Sequence, residues 1–319
     1  MNCGSLVIVM PVYEDWPALD ALLPALDQAL HDAGRTARVL LVDDGSNTPP
    51  HLPSCATGFR ALHTIERLVL RRNLGHQRAL GIGLTYVHEH IHADAVVLMD
   101  ADGQDRPDDV PHLIDALERA PDPPPVVFAA RQRRAESPGF RLAYHTFRVV
   151  HRVLVGLPVQ TGNFSVVPRA QLERLVVVSE LWNHYSAAVF HARLPTRLVP
   201  TARAPRLAGG AHMNLVALVT HGLSAISIYS ATVGVRLLLA TGGLLFAMGL
   251  LWLVFLFTAP GGAAVWIAGL GAVLLSQLLL VAFGLVVFVL NGRERLAFLP
   301  LRDYHYFVRQ HETLYERGV

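Results

Sequence analysis

The sequence predicts an α/β protein, a mostly parallel sheet flanked by helices, followed by an interfacial amphipathic helix and two transmembrane helices. Three observations carry that expectation. Short runs rich in Val and Leu alternate with helical patterns from residue 5 to about 130, polar clusters fall at the carboxyl ends of four of those runs, and two long segments near the C-terminus are nearly free of charge.

The strands are read in "SLVIVMPVY", "ARVLLVDDG", "IERLVLRRN", "AVVLMDADG" and "PVVFAARQ". Continuous apolar runs suit strands buried on both faces, as in a parallel sheet between helix layers. The covering helices are "PALDALLPALDQALHDAG" and "HQRALGIGLTYVHEHI", whose apolar residues recur every three and four positions. In such sheets ligands collect at the carboxyl ends of the strands, where "YED", "DDGS", "RRN" and "DADGQD" fall.

Segment 131–212 is less regular: a basic "RQRRAESPGFR", a helix-like "AYHTFRVVHRVLVG", a turn and strand in "TGNFSVVPR", then "LWNHYSAAVFHARLP". After it, "MNLVALVTHGLSAISIYS" has an apolar face and few charges, as a helix lying in the membrane interface would. "VRLLLATGGLLFAMGLLWLVFLF" and "VWIAGLGAVLLSQLLLVAFGLVVFVL" each exceed the roughly 20 apolar residues that cross the hydrocarbon core. They are apolar on every side, unlike helices of a soluble core. The expected division is an α/β domain over 1–210, the interfacial helix over 211–230, a two-helix hairpin over 231–291 and a tail over 292–319.

Charge orients this arrangement. Arg236 opens the first span and Arg293, Arg295, Arg302 and Arg309 follow the second, while the turn between them has no Lys or Arg. Positive residues stay inside, so the α/β domain and both termini are expected on the cytoplasmic side of the inner membrane. The N-terminus has no basic n-region and only a short apolar run, unlike a signal peptide. A net charge of +2 gives no ground for a nucleic-acid partner. Cys3 and Cys55 have no metal-ligand spacing and are expected as thiols. "TGG" and "GLG" in the spans would allow close packing in a homo-oligomer.

The densest chemistry is "VVLMDADGQDRPDDV", residues 96–110, where an apolar strand meets Asp100, Asp102, Asp105, Asp108 and Asp109. Crowded carboxylates repel one another and demand a cation. Asp108 and Asp109 suit the first turn of the next helix. Asp100 and Asp102, one residue apart on an extended strand end, point the same way, and Gln104 keeps the period. Oxygen donors of this kind suit Mg²⁺ or Mn²⁺, which share their shell with substrate phosphates. A diphosphate-bearing substrate follows.

Taken in order and spacing, "PVYED", "DDGS", "RRNLGHQRALGIGL" and "MDADGQDRP" resemble the family 2 glycosyltransferases of the GT-A fold. With two C-terminal spans the chain looks most like the polyprenyl-phosphate glycosyltransferases, such as dolichol-phosphate mannose synthases and bactoprenol glucosyltransferases. The resemblance implies donor-nucleotide contacts at Pro11, Tyr13 and Asp15, at Asp43, Asp44 and Ser46, and at Asn73 and Gly75. Asp44 is expected to accept from a base N–H or ribose hydroxyls. Glu14 and Asp15 stand where the family has asparagine and glutamate. Asp100, Asp102 and Gln104 match D-x-D-x-Q as metal ligands, and Arg131 matches an arginine that meets the diphosphate.

Two later motifs depart from the family. R-x-x-G-x-S-K falls on Arg206, Gly209, Ala211 and His212, so Arg206 remains for the donor while His212 replaces a lysine on the acceptor side. G-D-F-R becomes "GNFS", with Asn163 and Ser165 replacing an acid and a base, and Asn163 is the acceptor-side candidate. The reaction implied is inverting transfer from a nucleotide-diphosphate sugar to a lipid acceptor, polyprenyl phosphate in the family. A hydroxyl acceptor would need a general base, for which Asp105 is the candidate; Asp102 and Arg131 serve the leaving diphosphate.

Rival readings are weaker. His88, Glu89 and His92 spell H-E-x-x-H, but the helix must end by Asp94 to let "AVVLMD" begin. "GIG" at Gly81 to Gly83 lies inside a helical pattern, unlike a dinucleotide fingerprint. Trp182, Asn183 and His184 shape either an acceptor pocket or the core. The changed residues 163, 165, 211 and 212 also suit a membrane-anchored binding protein that keeps the fold without catalysis.

Overall fold

The computed structural model describes residues 3–131, 149–156, 161–202, 204–207, 222–258, 263–295 and 299–318. Within them one mixed sheet has the order β7-β5-β6-β4-β1-β2-β3-β8. Its strands are β1 (Leu6–Val12), β2 (Ala37–Asp43), β3 (Leu62–Leu70), β4 (Ala95–Leu98), β5 (Val126–Arg131), β6 (Ser165–Pro168), β7 (Thr196–Thr201) and β8 (Val308–Glu316). β1 pairs in parallel with β2 and β4, and β2 with β3, which is the parallel centre expected. β5 and β7 are also parallel, while β6 runs antiparallel between β4 and β5.

Every residue of β1 is buried, because helices cover both faces of the sheet. On one face α1 (Trp16–Asp32) and α3 (Asp109–Glu118) pack Leu19, Leu22 and Leu113 against Ile8, Met10 and Val39. On the other, α2 (His76–His90), α4 (Arg169–Leu175) and α5 (Tyr185–His191) pack Leu80, Leu172 and Tyr185 against Val7, Val9 and Val42. Gly83 sets the approach of α2: a Cβ there would lie 2.7 Å from methyl groups of both Val9 and Val42. The "GIG" is therefore a helix-on-sheet contact. Helix α2 stops at His90 and Ile91 is extended, so His88 and His92 share no helical face. Trp182, Asn183 and His184 are all buried, and Trp182 packs on Phe307 with ring centroids 5.0 Å apart.

The expected tail, residues 292–319, contains a strand of the sheet. Its segment Val308–Glu316 forms β8, antiparallel to β3. Polar residues on both faces of this edge strand hid it from a reading based on apolar runs. Tyr315 anchors it, accepting from the Phe59 N–H at 3.0 Å and meeting the Phe59 ring edge-on at 5.0 Å. β7 is likewise exposed along most of its length and lacked an apolar signature.

One compact unit comprises residues 1–136, 160–214 and 297–319; a second comprises 137–159 and 215–296. The second holds α6 (Ser230–Thr258) and α7 (Ala263–Arg295). Ser230–Leu250 and Gly269–Phe288 are long and apolar enough to cross a membrane, with mean hydropathies of 1.8 and 2.5. Their large side chains face outward, Leu238 being 71% and Phe288 70% exposed, as lipid-facing rather than core residues are. Residues 222–227 are helical, and the rest of the expected interfacial segment before them lies outside the described residues.

Two predictions follow from this packing. Gly83→Ala overpacks the α2–sheet contact and costs about 1–3 kcal/mol in denaturant unfolding. Arg35 bonds Glu118 through both carboxylate oxygens at 3.0 and 2.8 Å, and the Cys3 N–H adds a third bond. Arg35 thereby holds the Glu118 pKa down from 4.5 to about 2. A depressed carboxylate contributes stability above its unfolded pKa and loses it as pH falls through the folded one. Between pH 4.5 and 2 the wild type should therefore lose stability more steeply than Glu118→Gln, measured by thermal unfolding across that range.

Candidate active site

The carboxyl ends of β1, β2 and β4 bring most of the expected residues together. β1 ends buried at Pro11 and Val12; Tyr13 is 42% exposed beyond it. Glu14 then takes a left-handed backbone, φ 58°, before Asp15 opens α1. That strained residue is held from the β2 loop. Ser46 Oγ accepts from the Glu14 N–H at 3.1 Å, and the Glu14 carboxylate accepts from the Asn47 N–H at 2.6 Å and from Thr48. The Thr48 hydroxyl and the Asn47 N–H hold the Glu14 pKa below its ordinary value.

Asp43 and Asp44 end β2 with different tasks. Asp43 is fully buried; it accepts from the Ser46 N–H at 2.8 Å and from Arg67 Nε at 2.9 Å. Asp44 was expected to face the nucleoside, but it is 3% exposed and its two oxygens accept from Leu74 N at 2.7 Å and Gly75 N at 2.8 Å. Burial raises its pKa, outweighing those two N–H groups. It anchors the 73–75 loop, in which Asn73 is exposed and Gly75, φ 94°, precedes α2. Gly45 makes this close contact possible, since a Cβ there would come within 2.7 Å of the Arg72 and Asn73 backbone.

The aspartate segment is a turn, not a strand end. β4 stops at Leu98, so the alternation argument for Asp100, Asp102 and Gln104 does not apply. Asp102 Oδ1 accepts from the Gln104 N–H at 2.9 Å, Gly103 has φ 77°, and Asp105 Oδ2 accepts from the Asp100 N–H at 3.0 Å. Side-chain-to-backbone bonds of this kind compete with a strand ladder. Asp105, the candidate base for a hydroxyl acceptor, is 3% exposed and closes the turn. Asp108 occupies the cap position of α3 but makes no capping bond; its carboxylate meets Arg106 at 3.0 Å.

Asp100 and Asp102 meet different basic side chains. Asp102 Oδ2 lies 3.4 Å from Arg206 Nη1, while Arg206 Nη2 lies 2.8 Å from both carboxylate oxygens of Asp15. Two backbone bonds seat the arginine: Ala204 N donates to Gln104 O at 3.0 Å and Leu207 N to Asp102 O at 3.1 Å. Asp100 Oδ1 lies 3.2 Å from His76 Nε2. Desolvation opposes charge on that ring, though part of it still meets solvent; Asp100, then Asp105 and Asp44, outweigh this and raise its pKa.

Asn163 joins the same cluster. Its Nδ2 is 2.9 Å from His76 Nε2, and its Oδ1 accepts from Gln77 Nε2 at 3.1 Å. Ser165 is turned inward, fully buried against the Tyr185 hydroxyl at 2.7 Å. Arg131 closes β5, its Cα opposite Thr201. Gly209, Ala211 and His212 lie outside the described residues. His76, Gln77 and Arg67 were not singled out in the sequence; His76 and Gln77 directly follow the N-x-G motif at a helix start, the one signal that pointed to them.

Asp100, Asp102 and Gln104 supply oxygen donors on one five-residue turn, the chemistry that Mg²⁺ or Mn²⁺ accepts. They fit such an ion. Among the described residues no three His, Cys, Asp or Glu side chains form a ready cage, so an ion held here takes the rest of its shell from water and phosphate.

Known proteins bear on this site. Residues 7–175 match the family model described as glycosyl transferase family 2. The undecaprenyl-phosphate 4-deoxy-4-formamido-L-arabinose transferase of Erwinia tasmaniensis is 27% identical over 249 residues, 76% of this chain and 73% of that protein. The transferase of the same name from Klebsiella pneumoniae is 31% identical over 131 residues, 41% of this chain and 38% of its own length. Glucosyl-3-phosphoglycerate synthase of Mycobacterium tuberculosis, solved with Mn²⁺, UDP-glucose and phosphoglyceric acid, superimposes with a TM-score of 0.52 at 17% identity, over 72% of this chain and 80% of that one. That similarity shows a shared GT-A fold. Because the family match spans more than half of the sequence, the chain belongs to glycosyl transferase family 2.

Proposed function

We propose that this chain transfers a sugar, with inversion, from a nucleotide-diphosphate donor to a polyprenyl phosphate at the cytoplasmic face of a membrane. The convergence of Asp15, Asp102 and Arg206 at the carboxyl edge of the sheet carries this reading. Arg206 now contacts two carboxylates, and the same planar guanidinium suits the oxygens of a diphosphate. Asp100, Asp102 and Gln104 would hold Mg²⁺ or Mn²⁺, which supplies charge neutralisation for the leaving diphosphate. Tyr13 and Ser46 border the donor on the β1 and β2 side, and Arg131 stands at the end of β5.

The acceptor side is His76 with Asn163. Both side chains carry polar groups that phosphate oxygens can use, and Asn163 Nδ2 lies 2.9 Å from His76 Nε2. Asp105 favours a phosphate over a hydroxyl acceptor, since it is buried and bonded to the Asp100 N–H. A phosphate oxygen is already anionic and needs no base to attack the anomeric carbon. The name of the Erwinia relative, which matches over 73% of its length, supports undecaprenyl phosphate as the acceptor class. The two apolar helices would keep the enzyme beside such a lipid.

The test is glycolipid formation by the full-length chain in liposomes with undecaprenyl phosphate, Mg²⁺ or Mn²⁺ and a panel of nucleotide sugars, read by mass spectrometry. Wild type is expected to form one glycolipid, and Asp102→Asn to lower the rate by about 10²–10³-fold, as loss of transition-state charge stabilisation does. A wild type that neither forms glycolipid nor releases nucleotide from any donor would leave the non-catalytic binding protein as the better reading.

A further inference from the structure

The carboxyl edge carries a second feature away from the aspartate turn. Beside β3 and β8 opens a recess of about 280 Å³ walled by Ser46, Asn47, Thr48, Arg67, Arg309 and Gln310. Strand β8 is bulged at this point: Leu70 lies opposite Val308 and Val69 opposite Gln310, so Arg309 is the extra residue. Bulges re-aim side chains and occur beside active sites. Among the described residues Arg309 has no hydrogen bond or ion pair, whereas Arg67 is balanced by Asp43 and Glu312.

A chain of contacts fixes Gln310. Arg67 donates through Nε to Asp43 at 2.9 Å and through Nη1 to Glu312 Oε1 at 2.8 Å; Glu312 Oε2 accepts from Gln310 Nε2 at 3.0 Å. A carboxylate only accepts, so the Gln310 amide nitrogen faces Glu312 and its carbonyl oxygen is the end turned to a ligand. The recess thus sets a guanidinium donor beside an amide acceptor. Strands spaced about 4.8 Å apart put β3 about 14 Å along the edge from β4, a span that an extended nucleoside diphosphate covers. Asp44, the residue expected to read the base, holds the 73–75 loop instead.

Resting on the donor reading above, we propose that the C-terminal strand reads the donor nucleobase. Arg309 donates to a ring carbonyl, and Gln310 Oε1 accepts from the adjacent ring N–H. Uracil and guanine carry that pair; cytosine and adenine present a ring-nitrogen acceptor beside an amino group, the reverse pattern.

Equilibrium binding of UDP, GDP, CDP and ADP to the full-length chain in detergent with Mn²⁺ tests this. Wild type is expected to bind UDP or GDP at least about tenfold more tightly than CDP and ADP, the size of one or two well-placed hydrogen bonds. Arg309→Ala and Gln310→Met replace exposed side chains and are each expected to bring that ratio to within about threefold. Arg206→Ala should weaken all four nucleotides alike and keep the ratio. Wild-type selectivity that survives both strand β8 substitutions, or a wild type without selectivity, overturns this inference alone. A wild type that binds none of the four overturns the donor reading and this inference with it.

Discussion

Negative charge at the end of a buried sheet has to be compensated, and the architecture of the site follows from how that is done. Asp15, Asp43, Asp100 and Asp102 sit where helices exclude most solvent, and uncompensated carboxylates there repel and are costly. Each meets a basic side chain from another part of the chain. Arg67 comes from β3 to Asp43, His76 from the start of α2 to Asp100, and Arg206 from a loop 191 residues beyond Asp15 and 104 beyond Asp102 to both of them. The partners of Asp100 and Asp102 are groups that phosphate can also use, so in the proposed function donor binding exchanges one set of polar pairs for another.

This exchange divides the edge into three stations. In the proposed function the aspartate turn with Arg206 is the diphosphate station. The proposed acceptor station is the His76, Asn163 and Gln77 cluster, its amides oriented because Gln77 Oε1 accepts from the Tyr185 N–H at 2.7 Å and its Nε2 donates to Asn163. The recess between the β2 loop and β8 is the station proposed for the nucleoside. The relative positions of these stations come from strand order, in which the C-terminal segment pairs with β3.

The central fold was legible because burial on both faces writes itself as continuous apolar runs, and β1 to β5 with α1 and α2 fall where those runs and periodicities lie. The two apolar helices were legible for the same reason. β7 and β8 were not, because edge strands are polar and pair through backbone groups that leave no composition signal. Among site residues, the aspartates and Arg206 were visible by motif. Their contacts were less so: Asp105 and Asp44 look like open site carboxylates in sequence, whereas both are buried and accept from the Asp100, Leu74 and Gly75 N–H groups. Arg67 acts through contacts across the sheet, and Arg309 is placed by a bulge in β8, neither of which a local pattern encodes.

Anomalous scattering from crystals of the full-length chain grown with Mn²⁺ and a nucleoside diphosphate tests the central claim most directly. One strong manganese peak is expected within coordination distance of Asp100 or Asp102, beside the diphosphate, with Arg206 moved from Asp15 onto phosphate oxygens. A diphosphate bound with Arg206 still seated on Asp15 and Asp102, or manganese held by other residues, would contradict it.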